Sequence, residues 1–435
     1  MSARMQILRN EVVRRLGLGT AGALLLALAV WAGIRLAGAY QLAAARGRFA
    51  AAVGAPPPAR LFLGADGGGW ERAFEERLGG PARLPDPAGL ARMRQLLERA
   101  PSAWSAAETA ECRRFLAVNA SLLAAGERAA DRRVAAPRAT FAAVLREPAS
   151  ADSSRLWTRA LVQDSLLRLR IHLALRDRSP AGVARPMEGL AASAEAFEDE
   201  PGMPFQLYAL DLEKGLLKEA AAIAADPGVD ARDLAAIRRL LPHRPIATRV
   251  RQLFAGEAGY LLATNGDRGR AALSAADLAR LLDGYRRLAL VLERGPGASP
   301  AAATQAARSS AGGRRTLPSA ILALVASNFE SSVQRIEVIA AARQLAELAL
   351  DLRLAALPAC AYPATLGGLP VGREPDPFTG RLPSYQRDAQ GGALLSNPSA
   401  AAASEALPKG PRTKPFPFVW HLPPPCPPSA PAPRA

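Results

Sequence analysis

The side chains best suited to chemistry are few and far apart. Histidine occurs three times: His172 in an arginine-flanked helical pattern, His243 in a Pro-His-Arg-Pro turn and His421 in a terminal strand. No Gly-x-Ser-x-Gly, His-Glu-x-x-His or Ser-x-x-Lys motif surrounds them, so no catalytic residue is assigned. The run "GADGGG" at 64–69 has the glycines of a phosphate-cradling loop. It lacks the lysine and hydroxyl residue of a P-loop and reads as a turn. Glu198 opens an acidic "EDE" run ahead of Pro201, which reads as an exposed helix-loop boundary rather than a cation site. Cys112, Cys360 and Cys426 make no Cys-x-x-Cys pair, and their spacing argues against zinc. Cys112 is in register with Phe115, Leu116, Leu122 and Leu123 and reads as a small buried hydrophobe. Cys360 ends a long helix and Cys426 lies in a proline tail; in an oxidising compartment these two could pair. No cofactor, metal site or small-molecule ligand is expected.

Charge removes another class of function. Lysine plus arginine number 55 against 39 acids, and only Lys214, Lys218, Lys409 and Lys414 are lysine. The arginines alternate with acids along helices, the pattern of solvated faces. Aromatics make up 5% of the chain. A nucleic-acid platform uses clustered cations with stacking rings, so no nucleic-acid partner is expected.

The elements that must position these residues begin with an apolar stretch. Leu16 to Ile34, "LGLGTAGALLLALAVWAGI", carries no charge and at about 1.5 Å per residue matches a bilayer core. Arg4, Arg9, Arg14 and Arg15 precede it with one acid, Glu11, which places the amino terminus in the cytoplasm and the bulk beyond the membrane. Trp31 and Tyr40 suit the far interface, with Arg35 reaching outward. Ala37-Gly38-Ala39 has the small-x-small form of a signal-peptidase site, so both an uncleaved anchor and a cleaved leader are open. Residues 1–45 are thus a tail and anchor, and 46–100 a Pro/Gly-rich linker with short helices.

From Ser105 the pattern turns helical. "SAAE" is a capping box for a helix to about Gly126, followed by a short helix near 137–146. Further helices are expected from Asp152, after Ser179-Pro180, and over about 204–225, 230–241, 245–264 and 274–294. Short connections suggest a solenoid-like array of α-hairpins over 101–295. A linker at 296–317 leads to a long helix over 318–357, whose Val338, Ala341, Leu345, Leu348, Leu352 and Ala355 form a narrow stripe suited to one partner surface. Beyond it, "PDPFTGRLPSYQRD", "ALLS" and "FVWHL" fit a small antiparallel sheet, completing a module over 318–422. Residues 423–435 should be disordered or polyproline-like. The fold class is mainly α.

Two stretches resemble known proteins. "LAELALDLRLAALPACAYPATLGGLP" with "DPFTGRLPSYQRD" and "ALLS" resembles the carboxy-terminal half of the major pseudopilins of type II secretion. Tyr362, Pro363, Leu366, Leu369, Asp376, Pro377, Phe378, Gly380, Tyr385, Leu395 and Ser396 occupy the matching places. The resemblance implies a long helix packed on a small sheet, with Tyr362, Pro363, Asp376, Pro377, Phe378, Gly380 and Tyr385 as a structural turn motif. In pseudopilins the helix follows a processing site directly and an acidic glycine-rich loop binds calcium. Here the helix starts deep in the chain, and the loop position holds "NPSAAAASEALPKG", which offers little beyond Glu405. The middle, "AFEDEPGMPFQLYALDLEKGLLKEAAAI", is similar to the helical region of uncharacterised membrane-anchored proteins of planctomycetes and myxobacteria that carry the same module. That resemblance implies architecture and no reaction.

The expectation is therefore a non-enzymatic, single-pass scaffold of the bacterial inner membrane, bulk outside the cytoplasm, with an envelope-protein partner and a link to a pilus- or secretion-type assembly. The alternatives are an extracytoplasmic hydrolase with a nonlocal site, and a binder of anionic lipid or cell-wall polymer.

Overall fold

A computed structural model describes residues 3–57, 75–132, 151–179, 182–198, 203–241, 245–266, 273–292, 317–369, 375–407 and 416–426. The glycine run at 64–69, the short helix near 137–146, His243, the bulk of the 296–317 linker and the tail after Cys426 lie outside them. The chain is mainly helical, with a three-stranded antiparallel sheet.

α1 (Ala3–Ala52) is one unbroken helix, long and apolar enough to cross a membrane. Its character changes at Gly38. Leu28, Val30, Trp31, Ile34 and Leu36 are all more than half exposed. Then Gly38, Ala45 and Phe49, with Val53 just beyond the helix, form a buried stripe at steps of seven, four and four residues. The alanine-rich start of the 46–100 stretch is the end of this helix, which continues to Ala52 with one face in the core.

Capping signals set the next boundaries. Asp86 accepts from the Gly89 amide at 2.8 Å ahead of α2 (Pro87–Leu96), which starts on proline. Ser105 and Glu108 satisfy each other's amides at 3.1 and 2.8 Å to open α3 (Ala106–Val118). The single helix expected to Gly126 is broken at Asn119, whose side-chain amide donates to the Phe115 carbonyl at 2.8 Å. Asparagine competes for backbone groups in this way, and the chain restarts as α4 (Ala120–Arg132).

The array continues as α5 (Ala151–Arg176), α6 (Ala184–Glu198), α7 (Met203–Ala224), α8 (Ala231–Leu240), α9 (Ile246–Gly266) and α10 (Ala275–Leu292). α1 packs along α10. At the crossing, a Cβ on Gly38 would lie 3.4 Å from that of Ala275, and Arg48 grips Asp283 at 3.1 and 2.6 Å.

α11 (Leu317–Ala356) corrects the largest expectation. Residues 341–350 are buried on every side, and the helix packs against α7, α8, α9 and α10. A single apolar core runs from Ala45 through the array and α11 to Leu422, so 101–295 and 318–422 do not pack as separate bodies. The narrow stripe misled because the polar residues between its members are buried ion pairs. Arg343 meets Glu213 from Nε at 2.8 Å, while Glu347 and Asp351 hold Arg238 at 3.5 and 3.0 Å.

The sheet runs β1 (Ser384–Arg387), β2 (Ala393–Ser396), α12 (Pro398–Ala406), β3 (Val419–Leu422), with β2 central. Leu395 faces Tyr385 on one side and Trp420 on the other. Ala393, Leu395, Trp420 and Leu422 turn into the core, the period-2 alternation of a sheet covered on one face.

Candidate functional site

The turn-motif residues assemble one corner of the fold. Asp376 is buried, and its carboxylate accepts from the Thr379 amide and hydroxyl at 3.0 and 2.7 Å and from the Asn397 side chain at 2.9 Å. Asn397 also caps α12, through the Ala400 amide at 3.0 Å. Pro377 follows in the turn, Phe378 packs against the core, and Gly380 closes the turn at φ 65°. Tyr385 donates to the Pro363 carbonyl at 2.6 Å, and Tyr362 to the Pro423 carbonyl at 2.8 Å. Cys360 and Cys426 form a disulfide. The buried Arg353 donates to Pro424 at 3.3 Å, so residues 423–426 are tied to α11 rather than loose. Every acceptor of Asp376 is used internally, which makes this corner structural.

The open site lies elsewhere, between α5 and α7. Asp164, Arg168, His172 and Arg176 recur at four-residue steps and form one ridge of α5. Lys214, Gly215, Lys218 and Glu219 face them from α7. The Pro101–Ala103 turn and the end of α2 form the far wall. A cleft of about 1360 Å³ holds His172, Glu219 and Arg176; a narrower arm of about 490 Å³ holds Asp164, Ser165 and Lys214. They meet at Leu97, Glu98, Arg168 and Lys218, which line both.

Glu219 is the electrostatic centre. His172 Nε2 stands 2.9 Å from its Oε2, and Arg168 Nε donates to its Oε1 at 2.7 Å. Burial opposes the charge of Glu219, but His172 and Arg168 outweigh it and draw its pKa down to about 2. The histidine ring packs 5.6 Å from that of Trp104. Asp164 goes the other way. Burial, helped by Glu219 and opposed by Arg168, raises its pKa to about 6. Across the arm, burial and the neighbouring Lys218 bring Lys214 down to about 8.

These shifts carry opposite signs in stability. Glu219 is depressed, so its contribution is full above its unfolded value of 4.5 and is lost as pH falls toward 2. Asp164 is raised, so its ionisation destabilises the fold as pH rises from 3.8 through about 6. Asp164→Asn should match wild type near pH 4 and exceed it at pH 7, by up to about 3 kcal/mol, in chemical denaturation.

Gly215 sets how closely α7 approaches that carboxyl. A Cβ there would lie 2.6 Å from Asp164 Oδ1. Gly215→Ala should lower stability by about 1–3 kcal/mol, and Asp164→Ala in the same chain should restore part of it, as read by thermal melts of both.

Sequence reasoning placed the three histidines apart and joined none to a carboxylate. His421 does sit in β3, exposed, but His172 meets Glu219 in the cleft. The four-residue ridge on α5 was the signal available. Glu198 is also corrected: it is buried, 3.3 Å from Arg249, not an exposed acid. Among the described residues no group of three or more His, Cys, Asp or Glu is arranged to hold a metal ion.

Comparison with protein-family models, with curated proteins and with solved structures returns no match.

Proposed function

We propose that the protein is a single-pass scaffold of the bacterial inner membrane, its amino terminus cytoplasmic and its helical domain outside. The change of α1 at Gly38 carries the reading. Exposed Leu28, Val30, Trp31, Ile34 and Leu36 on a helix whose next turns are core need an apolar phase to cover them. Arg35 lies over the Trp31 ring at 5.0 Å, an arrangement suited to the interface. The helical domain presents the partner surface, and the corner built on Asp376 and β1–β3 serves as a pseudopilin-like module that docks on a pilus- or secretion-type assembly. Carbonate extraction of membranes should leave the protein in the pellet, and protease added outside spheroplasts should digest all but the amino-terminal segment. Release by carbonate would overturn the anchor. Affinity purification that recovers no envelope protein would overturn the scaffold.

A hydrolase is the second reading, favoured by His172 beside Glu219 in a cleft. In that reading Glu219, which accepts from Arg168 at 2.7 Å and lies 2.9 Å from His172 Nε2, orients the imidazole. Turnover of ester, peptide or glycan substrates that disappears in His172→Gln would decide for the enzyme.

A further inference from the structure

Among the described residues two other than glycine adopt the left-handed backbone region, Arg178 at φ 51° and Cys360 at φ 51°. Cys360 is tied to Cys426 by the disulfide. Arg178 has no such tie. It is the C′ residue of a Schellman motif closing α5, with Ser179 N donating to Ala174 O at 2.9 Å and Arg178 N to Leu175 O at 3.2 Å. Glycine is the ordinary occupant of that position because a Cβ is disfavoured there. The turn needs the left-handed backbone at this position but no side chain, so the long cationic side chain at the rim of a cleft is not explained by the turn itself.

The surrounding charges point the same way. Six arginine or lysine side chains and four carboxylates line the wider cleft. Of those four acids, Asp177 is engaged by Arg113 at 2.6 Å, Glu219 by Arg168 and His172, Asp226 accepts from the Gly228 amide at 2.8 Å, and Glu98 acts on Arg168 and Lys214. Arg176 donates only to the Pro101 and Ser102 carbonyls, at 2.8 and 3.5 Å. Neither Arg176 nor Arg178 has a carboxylate partner among the described residues. The helix dipole accounts for Arg176 in the last turn of α5, but it does not require arginine where glycine would be unstrained.

We infer that this cleft binds a phosphate group, held by the guanidinium forks of Arg176 and Arg178 with Lys218 opposite. Forked donors match the tetrahedral oxyanion. The inference is independent of the scaffold reading. Its ligand is either a soluble phosphoester or a phospholipid headgroup, and the test separates the two.

Full-length protein in phosphatidylcholine nanodiscs is titrated with inorganic phosphate at low salt, with chloride as control. Saturable binding is expected, weakened at least ~10-fold by Arg178→Gly and by Lys218→Gln, and unchanged by Arg251→Gln on α9. Arg178→Gly also removes the backbone strain, so its melting temperature should equal or exceed that of wild type while binding falls. In phosphatidylglycerol nanodiscs a headgroup ligand would compete and weaken phosphate binding, whereas a soluble phosphoester site would be unaffected. No saturable phosphate binding, wild-type affinity in Arg178→Gly, or a lowered melting temperature in that variant would overturn the inference.

Discussion

Glu213→Gln should destabilise the protein by about 3–5 kcal/mol, the largest loss expected from any single charged residue here. Glu213 is buried on α7, accepting from Arg249 at 2.7 Å and from both Nε and a terminal nitrogen of Arg343. Burial resists its charge, but the two guanidiniums outweigh that and hold its pKa below the ordinary range. Removing the carboxylate charge takes from the buried guanidiniums of Arg249 and Arg343 the partner they share, with Glu198 still 3.3 Å from Arg249. Arginine cannot shed its proton to escape. Urea denaturation of detergent-solubilised protein would measure the loss. A change below ~1 kcal/mol would show that water reaches the cluster. Replacing Glu198, Glu213, Arg249 and Arg343 together by apolar residues of similar volume should recover much of the stability, because the desolvation of all four charges then disappears.

The second large effect is expected at Phe49. Its side chain is fully buried, and it belongs to the same core as Phe254, Tyr285 and Phe329. Phe49→Ala should therefore cost about 3–5 kcal/mol. Two truncations sharpen the point. A chain lacking residues 1–37 keeps Gly38, Ala45, Phe49 and Val53 and should fold as a soluble domain. A chain lacking residues 1–54 also loses Ala45, Phe49 and Val53, uncovers α10 and should unfold or aggregate. Far-ultraviolet circular dichroism and thermal melts of the two chains provide the comparison. Equal folding of both would mean that α1 merely rests on the domain.

Much of the secondary structure was legible because it is written locally. The Ser105–Glu108 box and the Asp230 cap at 2.8 Å from the Asp233 amide place helix starts within a residue or two, whereas the start expected at Ser179-Pro180 falls at Ala184. The three strands were legible from alternation and glycine turns, Gly391 at φ 85° among them. Tertiary relations were less accessible. α11 reads as one-sided because arginine and glutamate normally mark solvent, and nothing local says that Arg343 meets a carboxylate 130 residues away. His172 and Glu219 were likewise unlinked, since sequence separation hides a contact between neighbouring helices. The α5 ridge was visible as a four-residue repeat, but a charged repeat on a helix more often faces water.

The passage of α1 into the core without a break makes it an axle rather than a tether. Gly38 against Ala275 and Arg48 on Asp283 key the helix to α10. Torque on the stretch before Gly38 is therefore transmitted to the array, and the domain has no swivel at its base. The groove between α5 and α7 points along one azimuth about that axle. Two such helices side by side in a bilayer would hold their grooves at a set angle to each other, fixed by how the helices face.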